Sequence, residues 1–97
     1  HLLIEDLLNK SVDLRLCRAL FQLSESATIH GRSVRRVNQP LTHKRLAEMI
    51  GANRVTVTRK LSELRELGII DGHRNASSIV ILDVERLAEV FRNGSPA

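Results

Sequence analysis

Aromatic residues are nearly missing from this chain: it has no Trp and no Tyr, and Phe21 and Phe91 are its two Phe. Its core must therefore be built mostly from Leu, Ile and Val. Cysteine is limited to Cys17, which excludes an internal disulfide and suits a reducing, cytoplasmic setting. No apolar run approaches the roughly 18 residues that a membrane span requires, and no signal peptide is visible, so a membrane is not an expected partner. Internal repeats are absent. The chain also starts at His1 rather than Met, which reads as a piece of a longer protein.

What remains is a globular composition, 42% apolar and 27% charged over 97 residues, enough for one compact domain with a single core. The net charge of +4 is unevenly spread. Residues 1–27 hold three basic and four acidic side chains, and residues 76–97 hold two and three. Residues 28–75 hold ten basic and four acidic, a net +6. A positive middle suits a polyanion, although an ordinary solvated surface gives the same count.

Leu2, Leu3, Ile4, Leu7 and Leu8 cluster at helical spacing. Val12, Leu16, Ala19, Leu20 and Leu23 form a second helical pattern, with Ser11 or Asp13 as its N-cap. The stretch Ser24–Gln39 supplies one short strand, SVRRVN (33–38), before Pro40 ends regular structure. Thr42 is a good N-cap for HKRLAEMI, lacking the capping-box glutamate because Arg45 stands there. Gly51 closes that helix, and Asn53 caps another from about Arg54 to Leu67. Two helices joined by so tight a turn make a helix-turn-helix. Ile69–Ile70 and IVIL (79–82), flanking DGHRNASS, read as a β-hairpin. Asp83 caps a last helix, VERLAEVFRN. The order predicts a mostly helical α+β fold, a winged helix-turn-helix with a short β-hairpin wing and a C-terminal helix.

The helix starting at Arg54 carries an unusual outer face. At roughly 100° per residue, with Val57 at zero, Leu61 and Leu64 fall within about 40° and define the buried stripe. Thr58, Ser62, Val55 and Arg59 fall between about 100° and 200° on the same wheel. A face built for solubility would carry more Glu and Lys there. This one offers a guanidinium fork, two hydroxyls and a methyl pair, the groups that address guanine, mixed acceptors and the thymine methyl. Arg54 opposes the helix dipole, which a phosphate or base would relieve. Thr42, His43 and Lys44 start the preceding helix, where free N–H groups favour anions. Asn53 and Thr56 flank the start of the outer-face helix, and His73 and Arg74 sit in the wing turn. These seven are the expected phosphate contacts; Arg54, Val55, Thr58, Arg59 and Ser62 are the expected base readers.

Two other readings compete. In one, Val55 packs under a neighbouring element, or anchors a partner protein to a winged helix that binds no DNA. The other is an enzyme, and the residues offer little for it. The four His and Cys17 lack metal-ligand spacing, and neither a Ser-His-Asp arrangement nor a phosphate-cradling glycine loop appears. Cys17 lies among Leu16, Ala19 and Leu20 and reads as a buried apolar thiol.

The stretch LTHKRLAEMIGANRVTVTRKLSELRELGIID resembles the DNA-binding domain of the Crp/Fnr family of bacterial transcription regulators. DLRLCRALFQLSE is similar to the family's first helix after the hinge, and GHRNASSIVILDVERLAEV to its wing and extra C-terminal helix. The resemblance implies double-stranded DNA as partner, with Arg54 and Arg59 at base-reading positions. It puts Asn53, Thr56, Thr42, His43 and His73 at phosphate-contacting ones. Val55 departs from the pattern, standing where many members carry a glutamate that accepts from cytosine; a thymine-methyl contact or a looser preference is expected instead. The family also implies a sensor domain, absent from this chain, that binds a cyclic nucleotide or another effector. It further implies a homodimer in the full-length protein and RNA polymerase as a further partner. On this reading residues 1–10 are the end of the linker or dimerisation helix, 11–92 the DNA-binding domain and 93–97 a tail. The piece itself is expected to need no cofactor and to be monomeric or weakly dimeric.

Overall fold

The computed structural model describes residues 2–72 and 79–93, and side chains over 12–72 and 79–89. Its first element is one helix, α1, Leu2–Leu23. The two expected helical patterns are thus one uninterrupted helix, and neither Ser11 nor Asp13 caps a start. No Gly or Pro lies between Leu2 and Leu23, and a Ser or Asp inside a helix costs only a few tenths of a kcal/mol against its neighbours. Asp13 instead meets Lys60 at 3.1 Å.

The chain then turns into β1, Ser24–Ile29, and β2, Arg32–Val37. These pair antiparallel from Ser24↔Val37 to Ile29↔Arg32. One strand was expected here and two are found. The link is Arg35: its Nε donates to Ser24 Oγ at 2.9 Å, and its Nη2 donates to the carbonyls of Ser24 at 2.6 Å and Phe21 at 3.1 Å. The guanidinium also lies 4.2 Å over the Phe21 ring. A cation at the carbonyl end of α1 is favourable, and the strand is anchored to the helix it follows.

The hairpin turns on His30 and Gly31, at φ 51° and 77°, and two positive φ values are what a type I′ turn needs. Asparagine is the more usual residue at the first position of such a turn. His30→Asn is expected to raise stability by about 0.5–1 kcal/mol, read as a higher urea midpoint at unchanged slope; a lower midpoint would contradict the turn.

Helices α2, His43–Ile50, and α3, Arg54–Glu66, form the helix-turn-helix. Thr42 Oγ1 accepts the Arg45 N–H at 3.0 Å, and Asn53 Oδ1 accepts the Thr56 N–H at 2.8 Å. Gly51 is left-handed at φ 71°. Its N–H reaches the Glu48 carbonyl and that of Ala52 the Ala47 carbonyl, the pairing of a Schellman stop. The wing strands are β3, Ile70–Asp71, and β4, Val80–Ile81, paired Ile70↔Ile81. Strand β4 also pairs with β2, which gives one sheet in the order β1-β2-β4-β3. Helix α4, Val84–Asn93, is the last described element, with Asp83 accepting the Arg86 N–H at 3.0 Å.

Leu16 and Leu20 of α1, Leu46 of α2, Val57 and Leu61 of α3, Ile81 of β4 and Leu87 of α4 share one buried core. It is aliphatic, as the composition requires. The architecture is the expected winged helix-turn-helix, enlarged by the β1–β2 hairpin. No helix among the described residues is long and apolar enough to cross a membrane.

Candidate nucleic-acid interface

Helix α3 divides into two sides. Val57, Leu61 and Leu64 are buried at 0%, 1% and 5% exposure, whereas Val55 is 75% exposed. The packed alternative for Val55 therefore has no counterpart among the described residues. Lys60 belongs to the inner side, held by Asp13 of α1 and lying 3.9 Å from Glu63. Arg15 of α1 donates to the last carbonyl of α2, that of Ile50. Helix α1 thus grips both helices from behind and leaves their other faces to solvent.

The start of α2 and one side of α3 enclose an open hollow of about 510 Å³. Thr42, His43 and Lys44 come from the first; Arg54, Thr58, Ser62 and Arg65 come from the second. No carboxylate lines it. Across it, His43 Nδ1 and Thr58 Oγ1 lie 2.9 Å apart, a hydrogen bond whose direction follows the ring's tautomer and charge. Burial first, then Arg54 and Arg65, push the His43 pKa below its ordinary value. The fold therefore favours the neutral ring. Stability from that preference is complete above the ordinary histidine value and is lost as pH falls through the depressed one.

Six of the expected contacts thus share one hollow: Thr42, His43, Lys44, Arg54, Thr58 and Ser62. Val55 and Arg59 are exposed on the same helix but outside it. Asn53 and Thr56 sit at the helix start, where the Asn53 carbonyl oxygen is engaged by the cap and its amide N–H₂ remains a donor. His73 and Arg74 lie outside the described residues. Arg65 was missed by sequence reasoning, although its spacing of seven from Thr58 and eleven from Arg54 puts it on their side of the helix.

One sequence expectation about other chemistry can be placed. Cys17 is buried, and burial, followed by the charge of Asp13, pushes its thiol up to about 12. Its thiolate is therefore scarce near neutral pH. Among the described residues no group of three or more His, Cys, Asp or Glu is placed to hold a metal ion.

Residues 14–90 match the Crp-like helix-turn-helix domain family. The CRP-like cAMP-activated global transcriptional regulator of Mycobacterium tuberculosis (strain ATCC 25618 / H37Rv) is 32% identical over 89 residues, which covers 92% of this chain and 39% of that protein. The global nitrogen regulator of Synechocystis sp. (strain PCC 6803) is 36% identical over 70 residues, 72% of this chain and 31% of that protein. A CRP/FNR-family transcriptional regulator from Thermus thermophilus superposes with a TM-score of 0.68 at 30% identity, over 95% of this chain and 46% of its own. The CO-dependent transcription factor CooA from Carboxydothermus hydrogenoformans gives a TM-score of 0.72 at 24% identity, over 92% of this chain and 40% of its own, a likeness of fold alone. These relatives are named as transcription regulators, not enzymes. The chain spans less than two fifths of the length of each of these two curated relatives.

Proposed function

Because the chain belongs to the Crp/Fnr family, as a Crp-like helix-turn-helix domain of a transcription regulator, we propose that α3 enters the major groove of double-stranded DNA and reads sequence there. The observation that carries this reading is the acid-free hollow at the start of α2, next to an α3 face bearing exposed Val55 and Arg59. Arg54, Val55, Thr58, Arg59 and Ser62 meet base edges. Thr42, His43, Lys44, Asn53 and Thr56, with His73 and Arg74 of the wing, meet phosphates. Arg65 joins the phosphate contacts. Its charge faces the same hollow, and two N-terminal helix turns supply N–H groups beside it.

At the Val55 position the side chain offers methyl groups only, so it suits the thymine C5-methyl and cannot accept from a cytosine amino group. Residues 11–92 act as the DNA-binding unit. The full-length protein works as a homodimer on two half-sites about one helical turn apart. A sensor elsewhere in that protein responds to an effector, a cyclic nucleotide being one class, and RNA polymerase is the partner at the promoter. A related regulator is named as cAMP-activated, which supports the effector reading.

Titration of the whole chain against duplex DNA at two salt concentrations tests the proposal. Arg59→Ala is expected to lose about 1–3 kcal/mol of discrimination at one base pair. Lys44→Ala should weaken binding to all sequences alike and reduce the salt slope by about one. Equal losses on every sequence for both variants would contradict the assignment of Arg59 to a base. Binding that ignores salt would contradict DNA as the partner and favour a protein-docking role for Val55.

A further inference from the structure

The contact between His43 and Thr58 joins a titratable ring on α2 to a hydroxyl on the proposed reading helix. At 2.9 Å between Nδ1 and Oγ1, it is a full hydrogen bond rather than a proximity. Thr58 is exposed and shares its side of α3 with Arg54 and Ser62. Its hydroxyl has one proton to give and two lone pairs to offer. Whichever of these His43 takes is withdrawn from the groove.

We propose that His43 is a specificity-determining positioning residue: its protonation state sets whether Thr58 presents an acceptor or a donor to a base edge. This rests on the reading that α3 enters the major groove. With a neutral ring protonated on Nε2, Nδ1 accepts the Thr58 O–H. The free lone pairs then take a hydrogen from the amino group of adenine or cytosine. With a doubly protonated ring, Nδ1–H donates to Oγ1. The hydroxyl proton is released toward another acceptor, such as guanine O6 or N7 or thymine O4. One proton gained by the ring thus reverses the polarity of a hydroxyl on the neighbouring helix, with no movement of either backbone.

The surrounding charges decide where this happens. Lys44 faces the hollow from α2, Arg54 and Arg65 face it from α3, and no carboxylate lines it. In the unbound protein partial burial, then Arg54 and Arg65, favour the neutral ring. Phosphates entering the hollow oppose the cations, so binding draws the ring toward its charged form. The ring is accordingly protonated in the complex at a higher pH than in the free protein.

The test is selection of bound sequences from a duplex pool randomised across the site, using the whole chain at pH about 5.5 and about 8, a window histidine spans. The wild type is expected to change its preference at one base pair. It should pass from adenine or cytosine at the higher pH to guanine or thymine at the lower, by about three- to tenfold, the worth of one hydrogen bond. His43→Gln, which keeps a polar partner but cannot titrate, and Thr58→Val, which removes the hydroxyl, should each show one preference at both pH values. An unchanged wild-type preference would overturn the proposal while leaving DNA reading intact. So would a pH-dependent switch that survives in Thr58→Val. Failure of every protein to enrich any sequence at either pH would overturn the major-groove reading itself, and this inference with it.

Discussion

Leu61→Ala is expected to cost the domain about 2–5 kcal/mol, against a total stability of about 5–15 kcal/mol for a domain of this kind. Leu61 is 1% exposed and belongs to the core that α1, α2, β4 and α4 share. Truncation removes buried methyl groups and leaves a cavity that four packed elements must collapse to fill, and closely packed surroundings relax only partly. The control lies on the same helix. Val55 is 75% exposed, so Val55→Ala should move stability by no more than about 0.5 kcal/mol. Urea unfolding at unchanged slope reads both. Similar losses at the two positions would mean that α3 is turned about its axis relative to the arrangement described.

The second large effect concerns the hollow. Replacing both Arg54 and Arg65 by Ala is expected to lower affinity for duplex DNA by about a hundredfold to ten-thousandfold, as two charge-assisted hydrogen bonds of about 1.5–3 kcal/mol each would give at low salt. The slope of affinity against salt should become shallower by about one, the share of Arg65, since Arg54 meets a base. A second readout separates lost contacts from lost structure. Both arginines hold the His43 pKa down, after burial. Removing them should therefore move it up toward the ordinary histidine value while the burial contribution persists, and an NMR titration of the ring follows this in the absence of DNA. An unmoved His43 would mean that the three side chains do not share the hollow. An unmoved affinity would mean that DNA does not enter it.

Signals that act over four or five residues were legible in the chain. Thr42, Asn53 and Asp83 cap where a short side chain precedes an apolar-periodic run, and Gly51 stops α2 with both expected hydrogen bonds. The buried stripe of α3 follows from its period alone. What was missed depends on partners distant in sequence. Strand β1 shows little apolar alternation, since its buried residue at the first position is Ser24. That serine is tolerated inside because Arg35, eleven residues on, donates to it. The continuity of α1 was hidden by a polar stretch, Asn9–Ser11, that resembles a boundary without containing a breaker. Arg65 went unnoticed because Glu63 and Glu66 make its half of α3 look acidic, although neither lines the hollow. Position around the helix, not local composition, decides which charge a ligand meets.

On this reading the α2–α3 face and the wing turn meet DNA, and the α1 side of the domain does not. Amide chemical-shift mapping of the whole chain with a duplex at low salt tests it most directly. The expected result is shifts concentrated at Thr42–Arg45, Asn53–Arg65 and His73–Arg74 that fade as salt is raised, with residues 15–23 of α1 left in place. Shifts gathered instead on the groove between α1 and α2, around Arg18, Gln22 and Met49, would contradict it.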